Sequence, residues 1–178
     1  QIVSDYLKTS GVGKQMGLDN KDYDAIVYAG LLHDIGHLPF SHVCEQAFAH
    51  FINKSDNWKD YHVDIGSKLI KNSHFGILNI LGEDMADRVY RLIKRKDTDL
   101  SRHLIEVMTG ICSIDRLDYL KRDAYHAGTP EYAIIDAERI LTSLTTYPKD
   151  RDLAPVFRKK ALYALEAVSY THLRAHET

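Results

Sequence analysis

The chain has 178 residues, with 23 Lys+Arg against 25 Asp+Glu, a net charge of −2, ten His and 44% apolar residues. That length suits one domain. The apolar share excludes a disordered segment, and the near-neutral balance excludes a generic nucleic-acid or polybasic membrane surface. No apolar run approaches the ~18 residues of a membrane span. Cys44 and Cys112 are too few for a disulfide scaffold, so a cytoplasmic protein is expected.

Pro and Gly are sparse and apolar residues recur at helical spacing, which predicts an all-α chain. Gln1–Lys8 reads as a helical fragment. Asn20 or Asp22 caps a helix through Ala25, Ile26, Ala29, Leu31 and Leu32 to about Ile35, interrupted by Gly36–Pro39. Ser41, with Glu45 beyond it, opens a helix carrying Val43, Ala47, Phe48, Phe51 and Ile52; Asn53–Lys59 is a polar loop. Helices follow over Tyr61–Lys71 and Glu83–Lys96, the second with acids at its start and bases at its end, as the helix dipole favours. A long helical pattern from Leu100 to His126 is punctuated near Gly110 and stopped at Gly128. Two more helices are expected near Ile135–Thr145 and Val156–Ala167. The whole reads as one helical domain over residues 1–167. The tail Val168–Thr178 (VSYTHLRAHET) matches one reading frame of a transposon-library end sequence and is expected to be non-native.

Two segments carry chemistry. Leu31–Ser41 reads LLHDIGHLPFS, followed by His42. An imidazole and a carboxylate side by side, His33 and Asp34, are suitable ligands for a divalent metal. Neighbours on a regular helix diverge by ~100°, so sharing one ion needs a distortion, which Gly36 and Pro39 supply. Alone, the dipeptide would be an ordinary surface pair. Following an apolar run that should bury the helix, with His37 and His42 close behind, it reads as a site. The second segment is Ser113–Gly128, SIDRLDYLKRDAYHAG. Asp115, Tyr119, Arg122 or Asp123, and His126 recur at helical spacing with Arg116 beside them. A solvated charged face would look similar, but a carboxylate, an arginine and a tyrosine on one stripe suit a metal, a phosphate and a sugar.

The strings AGLLHDIGHLPFSH and IDRLDYLKRDAYHAG, about 80 residues apart, resemble the HD superfamily of metal-dependent phosphohydrolases. More narrowly they resemble its dGTPase-like branch, the deoxynucleoside triphosphate triphosphohydrolases. The resemblance implies an HD-domain helical bundle holding one divalent metal ion (Mg, Mn, Fe or Zn). It makes His33, Asp34 and Asp115 metal ligands and His37, His42 and His62 catalytic residues. Arg116 would face the phosphates, while Tyr119 and Asp123 would hold the deoxyribose. A fourth ligand, a His upstream of the pair, and a phosphate-binding Arg after Glu166 have no counterpart here, so the chain is expected to be truncated at both ends. The pattern also departs at Val63, where relatives carry an acid, with Asp64 adjacent as a substitute.

The implied reaction is hydrolysis of a dNTP to deoxynucleoside and inorganic triphosphate, in a homo-oligomer, with no membrane or nucleic-acid partner. Rivals are another HD phosphohydrolase acting on a nucleotide phosphoester, and a non-catalytic nucleotide sensor in which Val63 marks a lost step.

Overall fold

Helical spacing of apolar residues is realised through most of the chain. The computed structural model describes residues 2–53, 60–94, 113–128, 136–149 and 152–168. In chain order come α1 (Ile2–Thr9), α2 (Val12–Gln15), α3 (Asn20–Leu32), α4 (His42–Phe48), α5 (Tyr61–Lys71), α6 (Ile77–Leu81) and α7 (Glu83–Lys94). Then follow α8 (Ile114–Ala127), α9 (Ala137–Ser143), the strands β1 (Leu144–Lys149) and β2 (Asp152–Phe157), and α10 over residues 162–168. Among the described residues the protein is all-α apart from one antiparallel strand pair. Among the described residues no helix is long and apolar enough to cross a membrane.

Contacts group the chain into two units, Asn20–Thr98 and Gln1–Asp19 with Asp99–Thr178. In the first, α7 packs against both α3 and α5. It buries Ala86, Val89, Leu92 and Ile93, a stripe at steps of three and four that matches its strongly amphipathic sequence. α3 contributes Tyr23, Ala25, Ile26 and Ala29, and α5 contributes Ile70. A buried carboxylate, Asp22, is matched by the Arg88 guanidinium, which satisfies the requirement that buried charge be paired. Lys94 pairs with Asp64 and Lys71 with Asp87 across the α5–α7 contact.

In the second unit, Leu117 and Leu120 of α8 cluster with Ile140 and Val168. Ser113 caps α8, its hydroxyl accepting from the Arg116 N–H at 3.2 Å, and Gly128 ends it at φ 66°. α1 is tied down by the Tyr6 hydroxyl, which donates to the Leu144 carbonyl at 3.2 Å.

The helix expected over Tyr61–Lys71 has those bounds, and α7 runs from the expected start at Glu83. Three expectations differ. The helix near Ile135 ends at Ser143, the helix expected from Val156 begins only at residue 162, and Leu144–Lys149 pairs as a strand with Asp152–Phe157, with Thr146 opposite Pro155 and Pro148 opposite Leu153. Proline cannot donate in a helix interior but is tolerated in an edge strand, so Pro148 and Pro155 fit this two-stranded ribbon. The first HD helix stops at Leu32, short of Ile35. Val168, the first residue of the tail, is buried. The polar loop at 54–59, the segment 95–112 and residues 169–178 lie outside the described residues.

Candidate active site

The site is built where α3 ends. The His33 N–H still bonds the Ala29 carbonyl at 2.9 Å, after which the chain proceeds by tight turns, His37 N–H to Asp34 O at 3.0 Å and Ser41 N–H to Leu38 O at 2.8 Å. Gly36 lies directly against α5: a Cβ there would overlap the His62 carbonyl and the Gly66 amide. Phe40 and Ser41 then take φ of 63° and 49°, a left-handed region costly for side-chain-bearing residues. This double twist re-aims the chain into α4 and brings His42 back over the turn.

Three imidazoles converge on one carboxylate. Glu45 is fully buried and accepts hydrogen bonds from Nδ1 of His37, from His42 Nδ1 at 3.2 Å and from His62 Nδ1 at 3.1 Å. His37 and His62 stack with centroids 4.1 Å apart, and His42 meets His37 edge-on at 5.0 Å. A carboxylate can only accept, so each ring carries its proton on Nδ1 and turns Nε2 away from Glu45. Burial would raise the Glu45 carboxyl, but the three donors together hold it below the ordinary carboxylate range. Burial and the neighbouring His37 push His62 down, against the opposite pull of Glu45. The cluster is therefore an ionised carboxylate beneath an imidazole, His62, that is neutral near neutral pH.

Sequence reasoning used Glu45 only as a helix-opening acid. Its signal was available: a Glu one turn after His42 on a short helix whose carboxylate ends up with no access to solvent. Asp64, the substitute considered for the acid missing at Val63, is instead engaged by Lys94.

The His33–Asp34 pair adjoins this cluster. His33 Nδ1 faces the Gly30 carbonyl at 2.9 Å, which fixes the proton there. His33 Nε2 lies 3.2 Å from Asp34 Oδ1, and His37 Nε2 approaches the same oxygen at 3.4 Å. His33 Nε2 and the Asp34 carboxylate form an N/O pair of a type that could hold a divalent cation, with His37 Nε2 turned on the same oxygen beside it. The pair is not buried as the preceding apolar run suggested: Asp34 is 55% exposed, because α3 has ended and Leu31 faces outward at 75% exposure. A set of His37, His42, Glu45 and His62 is also metal-competent by type, with ligand atoms within 4.8 Å, but there the Glu45 oxygens are taken up by three N–H donors.

The remaining predicted residues stand on α8, in the other unit. Asp115, Arg116 and Tyr119 are half-buried and Asp123 is exposed. Burial raises the Tyr119 hydroxyl, partly offset by the adjacent Arg116. The outward face of α8 carries an ordinary Arg122–Asp118 pair at 3.0 Å.

The HD domain profile matches residues 6–133. The chain is 32% identical over 150 residues, 84% of its length and 28% of the relative's, to an uncharacterized protein, MJ1154, of Methanocaldococcus jannaschii. It is 25% identical over 173 residues, 92% of its length and 31% of the relative's, to a deoxynucleoside triphosphate triphosphohydrolase SAMHD1 homolog of Dictyostelium discoideum. The crystal structure of a phosphohydrolase from Bacteroides thetaiotaomicron superposes with a TM-score of 0.71 at 26% identity, covering 98% of this chain and 38% of that one. The chain thus spans about a third of the length of these proteins.

Proposed function

Because the chain belongs to the HD domain family, we propose that it serves metal-dependent phosphoester hydrolysis, with deoxynucleoside triphosphates as the substrate class and deoxynucleoside plus inorganic triphosphate as products. The observation that carries this is the buried Glu45 anchoring three imidazoles beside the His33–Asp34 pair. His33 and Asp34 hold one divalent ion, with Asp115 completing the set as the sequence pattern assigns it. When bound, the ion polarises a phosphoryl oxygen and lowers the pKa of a coordinated water.

The protein's own groups do the rest. The water oxygen joins the α-phosphorus, the bond from phosphorus to O5′ breaks, and the proton ends on O5′. His37 or His62, each held in one tautomer by Glu45, takes or gives a proton through Nε2. His42, the most exposed of the three at 60%, reaches the leaving oxygen. Arg116 offsets triphosphate charge, and Tyr119 and Asp123 hold the deoxyribose. The name of the Dictyostelium relative supports the dNTP assignment. Assembly as a homo-oligomer and a cytoplasmic location belong to the same reading.

The test is incubation of the purified protein with each dNTP and Mg²⁺ or Mn²⁺, following inorganic triphosphate and free deoxynucleoside. Release that disappears in Asp34→Ala and in Asp115→Ala supports the assignment. Orthophosphate or pyrophosphate release in its place moves the cleaved bond and removes the triphosphohydrolase reading. The departure at Val63 favours a second reading, a binding-only sensor, which predicts dNTP binding with no turnover.

A further inference from the structure

We infer that Gly66, on α5 and outside both motif strings, is a positioning residue that sets the spacing between His37 and His62. The two histidines come from different elements: His37 from the turn after α3, His62 from the first turn of α5. Their 4.1 Å stack, and their common use of Glu45, require the turn to lie flush on the helix.

The contact between turn and helix is made by two glycines. Gly36 has no room for a side chain against the His62 carbonyl and the Gly66 amide. Gly66 has almost none: a Cβ there would stand 3.3 Å from the Gly36 nitrogen and 3.3 Å from Ile35 Cγ2. Both distances are tight enough that one side must give by a few tenths of an ångström. Ile35 Cγ2 is the end of a side chain and can turn aside, but the Gly36 nitrogen belongs to the turn itself, so relief there moves the backbone that carries His37. The displacement therefore passes to the next residue along the turn, His37, and opens its spacing from His62.

Gly66 is an interior helical position at which alanine is intrinsically the better helix former. A glycine there weakens α5 locally, which the flush contact with the turn explains. Gly66→Ala consequently separates positioning from folding: helix propensity improves while the histidine geometry worsens.

The activity arm rests on the hydrolase reading above; the spectroscopic arm does not. Gly66→Ala and a control on the same helix, Lys68→Ala, are compared with wild type by thermal unfolding and by NMR of the imidazole Nδ1–H protons, whose downfield position reports hydrogen bonding to Glu45. The expected result is an unchanged or raised Tm with displaced Nδ1–H signals of His37 and His62 in Gly66→Ala alone. Where turnover is measurable, kcat falls about tenfold or more with KM held, as small misplacements of catalytic groups do. Unmoved imidazole signals overturn the inference, whatever the activity. A Tm lowered by more than about 8 °C also overturns it, since Gly66 would then be a packing requirement of the fold. Displaced signals in a protein with no detectable hydrolysis uphold the inference and count against the hydrolase reading alone.

Discussion

Glu45 Oε2 accepts from His62 Nδ1 at 3.1 Å, across 17 positions of sequence, and the same carboxylate holds His37 and His42. Replacing it by Gln keeps the volume but leaves only one acceptor oxygen and sets an amide N–H₂ against imidazole N–H donors. Glu45→Gln is expected to cost about 1–3 kcal/mol in stability, the cost of unsatisfied buried donors. Hydrolysis should fall by roughly 10²-fold or more, as loss of general acid–base function does. Urea unfolding and steady-state kinetics check both, and a variant within about 0.5 kcal/mol of wild type would show that the carboxylate is not the anchor.

With Glu45 present, the cluster already has a carboxylate despite Val63. Val63→Glu is therefore expected to leave turnover unchanged or to lower it, since the acid would be added next to His62, which Glu45 already engages. A dNTP turnover assay on both proteins decides this; activity gained from an inert parent would favour the sensor.

Glu45 and His62 both bind protons less readily folded than unfolded. The unfolded state therefore holds more protons as pH falls, and acid favours unfolding. For His62 the loss begins as pH drops through its ordinary value of 6.5; for Glu45 it follows below the ordinary value of 4.5. Urea midpoints at pH 8, 6 and 5 should decline for wild type, while His62→Gln lacks the upper part of the decline. Equal losses between pH 8 and 6 would remove His62 as the source.

A cation held by His33 and Asp34 binds the folded chain and not the unfolded one. Mn²⁺ at 100 times its dissociation constant should add about 2.7 kcal/mol of stability, reversed by a chelator. In Asp34→Asn that increment should vanish, with the metal-free Tm little changed because Asp34 is more than half exposed. Thermal melts with and without EDTA measure it.

The Asp22–Arg88 pair is a structural prediction apart from the site. Asp22 is 6% exposed and Arg88 24%, so Arg88→Ala removes a cationic partner from a buried carboxylate and should cost up to about 3–5 kcal/mol. A double variant, Asp22→Asn with Arg88→Ala, should recover part of that loss.

The sequence by itself determined the helices whose apolar residues recur at a local period, as in α5 and α7, because that period depends only on residues within a few turns. It also picked out His33 and Asp34 as residue types suited to a cation, though neighbours on a regular helix diverge by ~100°, and only the end of α3 brings His33 Nε2 to 3.2 Å from Asp34 Oδ1. It misread the end of one helix, Leu144–Thr145, and the start of the next, Val156–Phe157, which pair as strands because the pairing depends on a partner segment rather than on a local period. What only the tertiary structure decided is the convergence on Glu45. Three histidines, from the turn after α3, from α4 and from α5, reach one carboxylate because Gly36 and Gly66 let a turn lie flush on a helix and because Phe40 and Ser41 reverse the chain. Whether a carboxylate ends in solvent or beneath three imidazoles depends on residues distant in sequence, and no local pattern encodes that distance.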